Sequence, residues 1–202
     1  MEPFLRGRKS SKKINSYNQV ILESETLLLI LDVQDKLIRH IQGNQLLIFN
    51  IKKLIDTCNL LNVRIAITEQ NPLKLGKTIE SILGNKEYPI FEKMEFSCSK
   101  NKNFIDYVNE YNFKNIIVCG IESHICILQT SIELIEKGFN ILIPRDAIGS
   151  RNNTDNETAF LRLILSGAVA STTESLICEL CKTSNRKEFR EVSKILKSSI
   201  PN

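Results

Sequence analysis

The feature that most constrains this chain is a run of five apolar residues, Leu27–Leu31 (LLLIL), that stops at Asp32. A strand with one face in water would alternate apolar and polar residues. An unbroken run fits a strand covered on both faces, as in a parallel sheet. Similar short runs recur at Val63–Thr68 (VRIAIT), Asn115–Cys119 (NIIVC) and Phe139–Ile143, with amphipathic segments between them. Leu47, Ile51, Leu54, Ile55 and Cys58 share one helical face, which predicts a helix from about Gln45 to Leu61 with Asn44 as its N-cap. Phe104, Tyr107, Val108 and Tyr111 mark a second helix. A third runs from Ser123 to about Lys137 and ends at Gly138. Thr154 with Glu157, and Ser171 with Glu174, have capping-box spacing ahead of two more helices, and a terminal helix covers Arg186 to Ser198. Residues 69–92 read as mostly irregular with a short strand at Pro89–Glu92, and Ala168–Ala170 as a last short strand.

Strands alternating with helices require parallel pairing through crossovers. The expected architecture is a three-layer α/β/α sandwich around a mainly parallel six-stranded sheet, Rossmann-like in its winding. One domain over residues 26–202 follows a polar arm over residues 1–25. A length of 202 residues suits one domain. A chain of that size buries about 70% of its unfolded surface and needs no disulfide or structural metal. The net charge of +4 is concentrated in Arg6–Lys13 (RGRKSSKK), which leaves the remainder nearly neutral and argues against a nucleic-acid partner. No apolar stretch approaches the ~20 residues of a spanning helix, so no membrane association is expected. Glu23 and Glu25 break what would otherwise pass for a secretory leader. The six cysteines then read as free thiols in a reducing cytoplasm.

In open parallel sheets, ligands sit at the carboxyl ends of the strands. That rule selects Asp32, Thr68–Gln70, Lys93 and Gly120–Cys126. With Ser123 as N-cap, Cys126 falls in the first turn of its helix. Unbonded amides and the positive end of the dipole there favour a thiolate, and they can hold a developing oxyanion. A carboxylate to accept the thiol proton and a lysine to orient it would complete a nucleophile triad. Each residue taken singly has a plainer reading. Cys126 serves as a small buried hydrophobe, Asp32 as a cap, and Lys93 as a solvated loop charge.

The combination resembles the isochorismatase-like cysteine hydrolases, most closely the isochorismatase-domain-containing proteins. It is carried by LLLILDVQDKL (27–37), ITEQNPLKLGKT (67–78), FEKMEFSC (91–98), and GIESHIC within the segment from Val118 to Arg151. The resemblance implies Cys126 as nucleophile, Asp32 as general base and Lys93 as orienting cation. It also implies a cis Ile121–Glu122 peptide bond and an oxyanion hole from the backbone N–H groups of Glu122 and Cys126. The implied chemistry is cleavage of an amide-type C–N bond of a small molecule through a thioester. Candidate substrate-binding residues are Gln34, Glu69, Gln70, Phe96 and Ser97.

The nicotinamidase branch binds a metal through histidines after the second strand. Here that loop reads TEQNPLKLG and holds none; the chain's two histidines are His40 and His124. No metal and no cofactor are therefore expected. His124 reads as structural rather than as the base. Cys178 and Cys181 lie mid-helix, a helix face rather than a redox pair. The expected partners are a small-molecule substrate and further copies of the chain, as a dimer or tetramer. Glu122 stands beside the implied oxyanion hole where a small residue is more usual. It motivates the alternative of a catalytically silent binding or scaffold protein on the same fold.

Overall fold

The computed structural model describes residues 20–200. The basic run Arg6–Lys13 and most of the polar arm lie outside the described residues. Seven strands form one sheet: β1 (Thr26–Leu31), β2 (Arg64–Gln70), β3 (Ile90–Lys93), β4 (Asn115–Ile121), β5 (Asn140–Pro144), β6 (Ile148–Gly149) and β7 (Val169–Ser171). Six follow the order β3-β2-β1-β4-β5-β7, and the two-residue β6 pairs with the end of β4. Every pairing is parallel.

The apolar run Leu27–Leu31 lies at the centre of the sheet, between β2 and β4. All of β1 is buried. Leu28 and Ile30 enter one core, while Leu27, Leu29 and Leu31 enter the other. The period of two distributes a continuous run to two helix layers. One layer holds α2 (Asn44–Leu60), α8 (Thr173–Cys181) and α9 (Phe189–Lys197); the other holds α5 (Lys102–Glu110), α6 (Leu128–Glu136) and α7 (Asn153–Leu165). This is the three-layer α/β sandwich that the alternation predicts. Four-residue helices α1 (Asp35–Ile38), α3 (Pro72–Leu75) and α4 (Glu80–Leu83) complete the set. The last two occupy the segment expected to be irregular. Among the described residues, no helix is long and apolar enough to cross a membrane.

Helix starts differ from expectation for local reasons. Gly43, at φ 65°, precedes α2, and Asn44 is already helical, its side-chain Nδ2 donating back to the Ile38 carbonyl at 3.1 Å. Before α8 the cap is Thr172, which accepts from the Ser175 amide; Ser171 still belongs to β7, paired with Pro144. α7 starts at Asn153 with no side-chain cap, so Thr154 is already helical, and Glu157 is held by the Asn153 side-chain amide at 2.9 Å.

β1 pairs with β2 on one side and β4 on the other, so the chain reverses its direction of winding between β1 and β4. The carboxyl ends flanking such a reversal open a crevice. Gly120 brings these two strands together. It has φ +116°, and a Cβ there would stand 2.2 Å from the Leu31 carbonyl oxygen. The three nearest obstacles are all backbone atoms of Leu31, and β1 is fixed from both sides. Gly120→Ala is therefore expected to destabilise the fold by about 3 kcal/mol or more, from overpacking added to the left-handed penalty. Urea unfolding monitored by circular dichroism checks this, and an unchanged midpoint contradicts the close approach.

Candidate active site

Asp32 follows β1 directly, with φ 56°, in the left-handed region that aspartate tolerates better than most residues. Its backbone N–H donates to the Thr68 carbonyl at 3.2 Å, and the Thr68 hydroxyl donates to Asp32 Oδ1 at 2.7 Å. Lys93 is the last residue of β3, in register with Gln70. Its Nζ donates to Asp32 Oδ2 at 2.7 Å, to Gln70 Oε1 at 2.8 Å and to the Phe96 carbonyl at 3.2 Å. All three ammonium protons thus have acceptors. The side chains of Lys93 and Asp32 are 0% and 1% exposed. A buried ion pair is tolerable only with such full hydrogen bonding.

Cys126 comes from the far side of β1. The Ile121–Glu122 peptide bond is cis. The first turn after it, Ser123–Ile127, is a π-turn that leads into α6, and Glu122 rather than Ser123 stands at its N-cap. The thiol interacts with both the Asp32 carboxylate and the Lys93 ammonium. Burial pushes its ionisation well above the usual range; the Asp32 charge adds to that and Lys93 opposes it. The expectation of a thiolate favoured by the helix start is therefore corrected. The group at rest is a neutral thiol beside an ion pair, because desolvation outweighs the positive helix end.

The thiol opens on a cavity of about 400 Å³. Its apolar wall is Leu37, Leu75, Phe96 and Ile125; its polar wall is Gln70, His40, Glu122 and Arg151. Of the five sequence-level substrate-binding candidates, Gln70 and Phe96 line it. Gln34, Glu69 and Ser97 do not. Gln34 extends the sheet edge, accepting from the Gln70 amide at 2.8 Å and donating to the Gln70 carbonyl at 3.0 Å. Glu69 accepts from both the amide and the hydroxyl of Thr78. Ser97 donates to Glu133 at 2.7 Å and caps a turn. All three hold loops that shape the cavity, because backbone groups at the strand ends need partners once strand pairing stops.

Sequence reasoning missed Arg151 and the use made of Glu122. Arg151 Nε stands 2.7 Å from Glu122 Oε1, and the Arg151 backbone N–H donates to Glu122 Oε2 at 3.4 Å. Arg151 lies two residues past β6, whose two residues pair with Gly120 and Ile121 and are too few to mark a strand end in the sequence. His124 bonds the Ser150 hydroxyl at 3.0 Å and does not line the cavity. All six cysteines are free, Cys178 exposed and Cys181 buried. Among the described residues, no three His, Cys, Asp or Glu side chains are grouped to hold a metal ion.

Residues 26–175 match the family model for the isochorismatase domain. The chain belongs to the isochorismatase family. Isochorismatase family protein 1B of Dictyostelium discoideum is 35% identical over 190 residues, covering 91% of each chain. The structure of the MAR1 ribonuclease from Caenorhabditis elegans superposes with a TM-score of 0.85 at 32% identity, covering 91% of this chain and 95% of that one. The Escherichia coli YcaC gene product, described as an octameric hydrolase of unknown specificity, has a TM-score of 0.82 at 19% identity, covering 87% and 88%, a likeness of fold. The fold is that of isochorismatase-family hydrolases, which supports a hydrolase-type function.

Proposed function

We propose that this isochorismatase-family protein is a cysteine hydrolase that cleaves an amide-type C–N bond of a small molecule through a thioester on Cys126. The observation that carries the reading is the buried Asp32–Lys93 ion pair, 2.7 Å between charges, interacting with a thiol that faces a largely apolar cavity.

The raised thiol ionisation shapes the mechanism. Little thiolate exists at neutral pH, so the proton leaves Cys126 as sulfur attacks the substrate carbonyl, and Asp32 accepts it. Lys93 holds Asp32 in place and offsets the negative charge that forms on sulfur. The carbonyl oxygen becomes an oxyanion, received by the backbone N–H groups of Glu122 and Cys126. When the C–N bond breaks, Asp32 returns the proton to the departing amine. Water then adds to the thioester with Asp32 again as base. Release of the acid restores the thiol.

The test is hydrolysis of a panel of small amides and esters by wild type and Cys126→Ala, with intact mass measured after rapid acid quench. The expected result is an acyl mass on the wild-type protein alone and turnover that depends on Cys126. Equal turnover by the two proteins eliminates the mechanism.

The silent-binding reading is favoured by one observation, the burial that raises the thiol. Acylation by substrate separates the two readings. Cys178 is exposed and lies outside the site. Substrate-dependent acylation of Cys126, with Cys178 untouched, supports the hydrolase. Absence of any acyl adduct across the panel supports silence. RNA belongs in the panel because a relative is named a ribonuclease.

A further inference from the structure

Four charged side chains line the cavity or act on the thiol that opens on it: Glu122 and Arg151 in the wall, Asp32 and Lys93 at Cys126. They form two pairs, each closed at 2.7 Å. The deeper pair is out of water, with the Lys93 ammonium bonded on all three sides. In the wall pair, the Glu122 side chain is 10% exposed and the Arg151 side chain 55%. The carboxylate is thus the inner member and the guanidinium the outer one. Glu122 is engaged twice by the same residue, through the side chain and the backbone of Arg151. The rest of the lining is mostly apolar, and the Gln70 amide is taken at both ends, by Lys93 and by the Met94 carbonyl.

We propose that this pocket selects an electrically neutral substrate, an uncharged carboxamide with an apolar body, and discriminates against carboxylate- and ammonium-bearing analogues through the Glu122–Arg151 pair. The proposal rests on the hydrolase reading for the amide and adds the charge class. An anion that reaches the thiol meets the Glu122 carboxylate and the Asp32 charge at close range. A cation has to pass the Arg151 guanidinium and then faces Lys93. Neither finds a counter-charge that is not already held by another group. Bringing an ion out of water into such a wall is unfavourable unless a partner is free to receive it. An uncharged body loses little by the same transfer and gains apolar contact with Leu37, Phe96 and Ile125.

The pair makes the selectivity reversible by single charge-removing changes. Glu122→Gln leaves the Arg151 charge uncompensated and turns the wall toward anions. Arg151→Gln leaves the Glu122 carboxylate with only the residue-151 backbone N–H and the His124 ring, whose Nδ1 stands 3.6 Å from Oε2, and turns the wall toward cations. Three amides of similar size serve as probes: pentanamide, succinamate and 4-aminobutanamide. Binding is measured by calorimetric titration at about pH 8 to the full-length Cys126→Ala protein, so that turnover does not consume the ligand. Hydrolysis of the same three amides is followed separately with the intact thiol.

Pentanamide is expected to bind about tenfold tighter than either charged probe. Adding Glu122→Gln is expected to strengthen succinamate binding about tenfold, and adding Arg151→Gln to do the same for 4-aminobutanamide. The proposal is overturned if a charged probe binds the unsubstituted wall as tightly as pentanamide does, or if none of the three binds. It is also overturned if neither substitution changes the order. Pentanamide binding without any hydrolysis or acyl adduct retains the charge class and removes the hydrolase reading. Cys126-dependent hydrolysis of succinamate in preference to pentanamide does the reverse.

Discussion

Lys93→Met is expected to destabilise the protein by about 3–5 kcal/mol and to abolish turnover, whereas the double variant Asp32→Asn, Lys93→Met recovers most of the stability and none of the activity. The single change removes an ammonium whose three protons are all bonded. It leaves the Asp32 carboxylate, 1% exposed, with the Thr68 hydroxyl and the Cys126 thiol as its remaining neighbours. An uncompensated buried charge is among the largest single-residue penalties known. The double variant removes both charges and keeps similar volumes. Asparagine also tolerates the left-handed backbone that residue 32 adopts, at φ 56°. Urea unfolding of the wild type, the two single variants and the double variant closes the cycle. A Lys93→Met protein that unfolds at the wild-type midpoint refutes the ion pair as a structural element.

The cycle also bears on how the site is built. Asp32 and Lys93 are 61 residues apart in the chain. Their meeting follows from topology. Each ends a parallel strand, and parallel strands present their carboxyl ends on one edge. For the same reason the parallel sheet and the place of Cys126 at its edge were legible in the sequence. An apolar run that stops at a polar residue marks both a buried strand and where its edge lies. Less was legible at the level of individual side chains. Gln34, Glu69 and Ser97 lie on the correct edge and serve the backbone, because the edge is also where strand pairing leaves amides and carbonyls without partners. Sequence position names the edge and does not say whether a polar group faces the cavity or a loop. The Glu122–Arg151 pair lay beyond reach for a related reason. Its closure depends on β6, a two-residue strand too short to leave a pattern.

The ionisation of Cys126 is the sharpest case of position read correctly and environment not. First-turn placement and nearby cations were visible in the sequence, and both favour a thiolate. The weight of apolar side chains packed around the sulfur was not visible, and burial is the largest influence on it. The outcome is a site in which the ion pair is assembled in advance and the nucleophile is generated during the reaction. That arrangement assigns opposite consequences to one substitution at Asp32.

Asp32→Asn is therefore expected to lower amide turnover by about 10²–10⁴-fold while making Cys126 more reactive toward iodoacetamide. Turnover falls because no base remains to take the thiol proton during attack or to activate water on the thioester. Alkylation rises because the negative charge that pushes the thiol upward is removed, while the Lys93 ammonium that pushes it downward stays. With Asp32 neutral, a thiolate becomes the only counter-charge within reach of Lys93. In the wild type, the raised thiol predicts an alkylation rate that climbs about tenfold per pH unit from pH ~7 to ~9 without levelling. In the variant the same rise starts at lower pH, so at about pH 7.5 the rate is expected to exceed wild type roughly tenfold. Mass spectrometry on the Cys126 peptide reads the rate, with the exposed Cys178 as internal reference. If alkylation and turnover fall together, Asp32 ionises the thiol before substrate arrives, and concerted proton transfer is wrong. If alkylation rises while turnover is unchanged, Asp32 is not the base, and the proton must leave by a route that does not include it.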